Sequence, residues 1–205
     1  MHAMKSPRAA SKGASPSGDT VQHIVDVAQE LVQSRGFNGF SYRDVAARVG
    51  VKTSSIHYHF PTKGDLTCAL VSRYRAKMHG ARERIDVAHP RPAPRLEAFL
   101  ELLCATFERE NMICLCGMLA TDTATLPDEA RTQIRGFFED NENWLIGVLA
   151  QGREAGEMRF EGQPEEASHA LFCAMQGAMI GAATFGRSAR VNECAHWILR
   201  SLQIS

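Results

Sequence analysis

The chain has 205 residues, 44% of them hydrophobic and 22% charged, which is ordinary for a globular protein and enough to bury one or two cores. Six cysteines (Cys68, Cys104, Cys114, Cys116, Cys173, Cys194) in that length exclude a disulfide-stapled scaffold, and the expected setting is the cytoplasm, with the thiols reduced. The net charge of zero hides a division: residues 1–89 carry 13 Lys+Arg against 7 Asp+Glu, residues 90–205 carry 10 against 16, so only the first half suits a polyanion.

Residues 1–19 read as a disordered segment, because they offer too little apolar surface to offset ordering. Their Lys5, Arg8 and Lys12, set among Ser, Gly, Ala and Pro, lack the apolar run of a secretory signal. The first helix follows, with Val21, Ile24, Val25, Ala28, Leu31 and Val32 at helical spacing and Gly36 as its stop. Phe37 and Phe40 add bulk to the core. A second, shorter helix opens at Ser41 with Asp44 three residues on, as in a capping box, and ends at Gly50. The third should run from about Thr53 to Phe60. Ile56 and Phe60 point inward, Ser54, Ser55 and Tyr58 outward, and His57 and His59 lie on the flanks at about 100° per residue. Pro61 stops it, and Thr62 with Asp65 caps a fourth helix running towards Gly80. Two short helices joined by a tight turn, the second polar outside and poor in acids, form a helix-turn-helix suited to a DNA major groove.

The stretches "SRGFNGFSYRDVAARVGV" and "SSIHYHFPTKGDL" resemble the TetR family of bacterial transcriptional regulators. The resemblance implies an all-α fold of about nine helices. A helix-turn-helix DNA-binding domain would span 20–66, and a larger domain, 67–205, would bind an effector and dimerise. It implies that Ser54, Ser55 and His57 face bases. It places Tyr42, Arg43, Lys52, Thr53, Tyr58, His59 and Lys63 on the phosphate backbone. Where this chain has Ser54 the family often has glycine, and where it has His57 more often an aromatic.

Other chemistry for the polar cluster fares worse. His57 and His59, two apart on a helix, diverge by about 200° and reach one metal ion poorly. Acid–base work would need a neighbouring carboxylate in a cleft, and no G-x-S-x-G hydrolase motif occurs. Neither a metal nor a cofactor is expected.

After the break "HPRPAP", a helix carries Leu96, Phe99, Leu100, Leu103 and Phe107. A short apolar helix and a loop follow, and Pro127 then opens a long helix with Ile134, Phe137, Phe138, Trp144, Leu145 and Leu149. By resemblance, helices between 96 and 155 enclose a small, hydrophobic effector. Candidate lining residues are Phe99, Leu103, Phe107, Met112, Leu115, Met118, Leu119, Phe138 and Trp144; each is equally compatible with plain core. Cys114 and Cys116 suggest a redox or electrophile sensor, or a thiol- or metal-dependent enzyme, against the reading of small buried hydrophobes. The last two helices are rich in small residues, and the run Ala170–Gly186 is no plausible membrane span. The expected dimer surface is Leu171, Ala174, Gly177, Ala178, Gly181, Ala182, Trp197 and Ile198. The chain is thus expected to be a homodimeric repressor of a palindromic operator in double-stranded DNA, released by its effector, and not an enzyme.

Overall fold

The computed structural model describes residues 18–108 and 112–204, so most of the N-terminal segment lies outside the described residues. The described residues form nine α-helices and no strand: α1 (Gly18–Arg35), α2 (Tyr42–Val49), α3 (Thr53–His59), α4 (Lys63–Ala88), α5 (Pro92–Glu108), α6 (Leu115–Ala120), α7 (Asp128–Glu154), α8 (Pro164–Phe185) and α9 (Ala189–Ser201). Among them, no helix is long and apolar enough to cross a membrane.

Helices α1 to α3 make a small head. Its core is Ile24, Ala28, Leu31 and Val32 of α1, Phe37 and Phe40 of the turn, Val45 of α2, and Ile56 and Phe60 at the end of α3. Ile56 is fully buried, so truncating it to Ala would cost about 2–5 kcal/mol and free α3 from its seat.

Helix α4 begins at Lys63 and continues to Ala88, well past the expected stop near Gly80. Gly80 sits inside it because helical contacts on both sides outweigh a glycine's modest penalty. The helix is about 39 Å long at 1.5 Å per residue, and its first turns complete the head while the rest packs against α7 in the body. The break at Pro90–Pro94 is shorter than expected. Helix α5 already starts at Pro92, since first-turn N–H groups have no intrahelical acceptor and prolines there lose nothing.

The body is built on α7 and α8. Tyr74 of α4, Phe137 of α7 and Phe172 of α8 form a buried aromatic ladder, with ring centroids 5.4 and 6.3 Å apart. One polar lock crosses this core: Arg82 donates to the Asn141 side-chain oxygen at 2.6 Å, and Asn141 donates to the Phe137 carbonyl at 2.6 Å. Arg75 and Asp140 make a second, half-exposed link at 2.8 Å between the same helices.

Candidate nucleic-acid interface

The face that could meet DNA is assembled from local rules. The Asp44 carboxylate accepts from the Ser41 N–H at 2.7 Å and its hydroxyl at 2.6 Å, fixing the start of α2. These bonds, with Arg35 nearby, hold its carboxyl below the usual range. Gly50, at φ 78°, turns the chain out of α2 with its N–H on the Ala46 carbonyl. That left-handed backbone is why a glycine stands there. Ile56 and Phe60 anchor the underside of α3, which leaves Ser54, His57 and Tyr58 exposed on its outside. Tyr58 is 77% exposed, an aromatic with no protein partner beyond the edge of His59. Lys52 and Arg43 are exposed beside this face, and no Asp or Glu lies within α3. Thr53, Ser55 and His59 are half-buried.

Two residues expected on the phosphates are engaged inside the protein. Tyr42 is buried, and its one hydroxyl hydrogen is shared between the Phe60 carbonyl at 2.8 Å and the Thr62 carbonyl at 2.5 Å. Burial, helped by the Asp65 charge, pushes its phenol up to about 12. Tyr42 therefore ties the start of α2 to the end of α3. Lys63 donates from Nζ to the Phe37 and Phe40 carbonyls and lies 4.6 and 4.1 Å from the centroids of their rings. Burial lowers its ammonium pKa, opposed by Asp122 and Asp44. It clamps the α1–α2 turn onto α4 with two of the three N–H groups of its ammonium. His59 also turns away: its Nε2 is shielded and has no hydrogen-bond partner. Tyr42 and Lys63 share one cause: a polar side chain near a helix end finds unpaired carbonyls within reach, and burying it against them satisfies both. Among the described residues no carbonyl meets the shielded Nε2 of His59.

The head is fastened to the body at points the sequence did not signal. Asp122, after α6, accepts from the Phe37 N–H at 2.8 Å and from the Asn38 side chain at 3.0 Å. Arg73 of α4 reaches Asp26 of α1 at 2.6 Å and Gln29 at 2.8 Å. Gln33 donates to the Ile113 carbonyl at 2.8 Å. Gly64 lies so close to Pro127 that a Cβ would stand 2.6 Å from its ring, so α4 and the loop before α7 touch through a glycine.

In the body, most of the expected effector residues are core. Phe99, Leu103, Phe107, Leu115 and Leu119 are buried at 2% exposure or less, while Met112, Met118, Phe138 and Trp144 are half-buried. Trp144 stacks near Phe99 and donates its indole N–H to Asp86 at 3.0 Å. A groove of about 630 Å³ opens elsewhere, between α1, α4 and α5, floored by Tyr74, Met78, Leu102 and Met112; of the expected lining set it includes only Met112. Gln176 of α8 is buried beside Gly117 and Cys114; among the described residues no nitrogen or oxygen partners its amide, whose polar neighbour is the Cys114 thiol.

All six cysteines are free. Cys114 and Cys116 are buried, and burial raises both thiols, which keeps them protonated and poorly nucleophilic. The Tyr74 hydroxyl rests 3.7 Å from the Cys114 sulfur. The described residues contain no cluster of three or more His, Cys, Asp or Glu able to hold a metal.

The expected dimer surface divides. Leu171, Ala182 and Ile198 face the protomer's own core, and Ala174, Ala178 and Gly181 are half-buried. Gly177 and Trp197 are exposed, and so are Ile180 (44%) and Phe185 (64%), which the sequence reading missed. Ile180 follows Gly177 by three residues, a spacing that puts both on one helical face and that was available as a signal.

Residues 24–70 match the family profile described as bacterial regulatory proteins, tetR family, and residues 92–197 match the tetracyclin repressor-like C-terminal domain. Among curated relatives, the HTH-type transcriptional repressor DhaR of a Mycobacterium species is 22% identical over 160 residues, covering 78% of this chain and 80% of that one. A TetR-family transcriptional regulator from Agrobacterium tumefaciens superposes with a TM-score of 0.87 at 28% identity, covering 91% of this chain and 98% of that one. A TetR transcriptional regulator from Legionella pneumophila gives 0.80 at 29% identity, over 89% and 97% of the two chains.

Proposed function

The chain belongs to the TetR family of bacterial regulatory proteins, and from that premise we propose a homodimeric, cytoplasmic repressor that binds a palindromic operator and leaves it on binding a small apolar effector. The observation that carries the DNA reading is the acid-free, exposed face of α3, with Ser54, His57 and Tyr58 standing on an apolar underside. In this reading Ser54 and His57, with Ser55 beside them, touch base edges. Lys52, Arg43, Thr53 and Tyr58 hold phosphates and so set register and most of the salt dependence. Tyr42 and Lys63 act behind them by fixing the frame.

Dimerisation makes the reading specific, because one short helix covers few base pairs and two-fold symmetry doubles them. Gly177, Ile180, Phe185 and Trp197 are the residues offered to a second copy. Their exposure is unusual for large apolar side chains on a lone protomer and is ordinary for an interface.

The effector acts where head meets body. The groove between α1, α4 and α5 borders Arg73, whose bonds to Asp26 and Gln29 tether the head. A molecule seated there competes with that tether and shifts the population between head positions. The buried Gln176 amide is a second place where a polar group of an effector would be satisfied.

Among the described residues the Cys114 thiol meets the Tyr74 hydroxyl and no carboxylate or imidazole, and a redox trigger through Cys114 and Cys116 would need them exposed. The experiment is direct: fluorescence anisotropy of the full chain on duplex DNA from its own upstream region, against scrambled duplex, over a salt series. Preference for its own region, falling steeply with salt, supports the reading; equal and negligible binding to both rejects it.

A further inference from the structure

The ring of His57 is held at two points. Its centroid lies 4.7 Å from that of Tyr42, with 61° between the ring planes. Its Nδ1 lies 3.2 Å from the Pro61 carbonyl oxygen. Both supports are firm: Tyr42 is buried with its hydroxyl on two carbonyls, and Pro61 belongs to the turn those bonds close. A carbonyl oxygen only accepts, so Nδ1 must carry the hydrogen. A neutral imidazole carries one such hydrogen, which leaves Nε2 a bare acceptor. Position and tautomer are thus fixed together by the fold, on an exposed residue beside Ser54 and Tyr58.

We propose that His57 reads an exocyclic amine in the major groove, adenine N6 or cytosine N4, through Nε2, and makes no phosphate contact. This rests on the DNA-binding reading above. Among the polar groups on the major-groove edge, only those two amines donate; guanine N7 and O6, adenine N7 and thymine O4 accept. An Nε2 lone pair set against another acceptor is repelled, which rejects a guanine or thymine edge as well as a phosphate oxygen. Ser54 differs in kind, because a hydroxyl donates or accepts by rotating. The serines therefore tolerate several bases, and His57 carries the sharper discrimination.

The test is enrichment of duplexes from a randomised pool by the full chain at pH 8, with His57→Ala and His57→Phe in parallel. His57→Phe keeps a ring against Tyr42 and removes the acceptor. Circular dichroism confirms that each variant is folded. The expected result is one base pair per half-site, A·T or C·G in a single orientation, that the unaltered chain prefers by about five- to tenfold and that both variants alone cease to prefer. Replacing the base there by its analogue without the amine, purine for adenine or pyrimidin-2-one for cytosine, should weaken binding of the unaltered chain by the same factor and leave the variants unchanged. A His57-dependent base pair at which the 7-deaza purine analogue weakens binding while the amine-free analogue does not overturns the proposal, because His57 would then donate to N7. So does a consensus that the variants share, or an analogue bound as well as the natural base. If the folded, unaltered chain enriches no sequence at all, the DNA-binding reading itself fails.

Discussion

Lys63→Met separates a clamp from a phosphate ligand. The substitution keeps the stem and removes the ammonium, so the Phe37 and Phe40 carbonyls lose a charged donor and their rings lose a cation. Hydrogen bonds from a charged group contribute about 1.5–3 kcal/mol each, but Lys63 is half-buried and water partly replaces it. Taking the low end for each bond, a further ~0.5 kcal/mol for the rings and a discount for that water gives about 2–3 kcal/mol. At about 2–4 °C per kcal/mol for a chain of this size, Tm should fall by about 4–12 °C. Thermal melts by circular dichroism at one fixed protein concentration measure this. The slope of log Kd against log salt on DNA, taken well below the melt, should stay the same. A phosphate ligand would behave in the opposite way, lowering that slope by about 0.9 per protomer while leaving Tm unchanged. That opposite pattern would refute the clamp.

Tyr42→Phe should cost about 1–1.5 kcal/mol, because its single O–H is shared between the two carbonyls. It should also remove part of the alkaline loss of stability: with the phenol raised to about 12, its contribution is present below pH 10 and lost as pH climbs between 10 and 12. Urea titrations of both proteins across that window check the sign, and identical pH profiles would contradict it. Brief treatment with an alkylating maleimide at neutral pH should label the exposed Cys173 first and spare Cys104, Cys114 and Cys116, as read by peptide mass spectrometry. Rapid labelling of Cys114 would reopen thiol sensing. Trp197→Glu and Ile180→Glu should each give a folded monomer in sedimentation, whereas Ile198→Ala should keep the dimer and lower Tm. A dimer that survives both glutamates places the interface elsewhere.

The sequence announced the head well because its signals are local. Ser41 with Asp44, Gly50, the Ile56–Phe60 pair and Pro61 each act within four residues, and each falls where the structure uses it. What the sequence did not disclose at Tyr42, Lys63 and His59 is their intramolecular setting, because it is made of backbone carbonyls or enclosed space supplied by other segments. A donor-rich side chain looks the same whether its partner is a phosphate or the next turn of its own chain. Helix α8 failed for a different reason. It is apolar on nearly every face, so spacing could not tell that Leu171 and Ala182 point inward while Gly177 and Ile180 point out. The effector site was least legible, since a core phenylalanine such as Phe99 and a pocket-lining one obey the same pattern.

Helix α4 passes from head to body without a joint, and Asp122 pins the far side of the head to the loop after α6. A rod of about 39 Å pivoting by about 5° at its body end carries its tip through about 3.4 Å, the rise between successive base pairs. Ligand-driven tilts too slight to disturb the packing around α7 would therefore put a reading head one rung off its ladder.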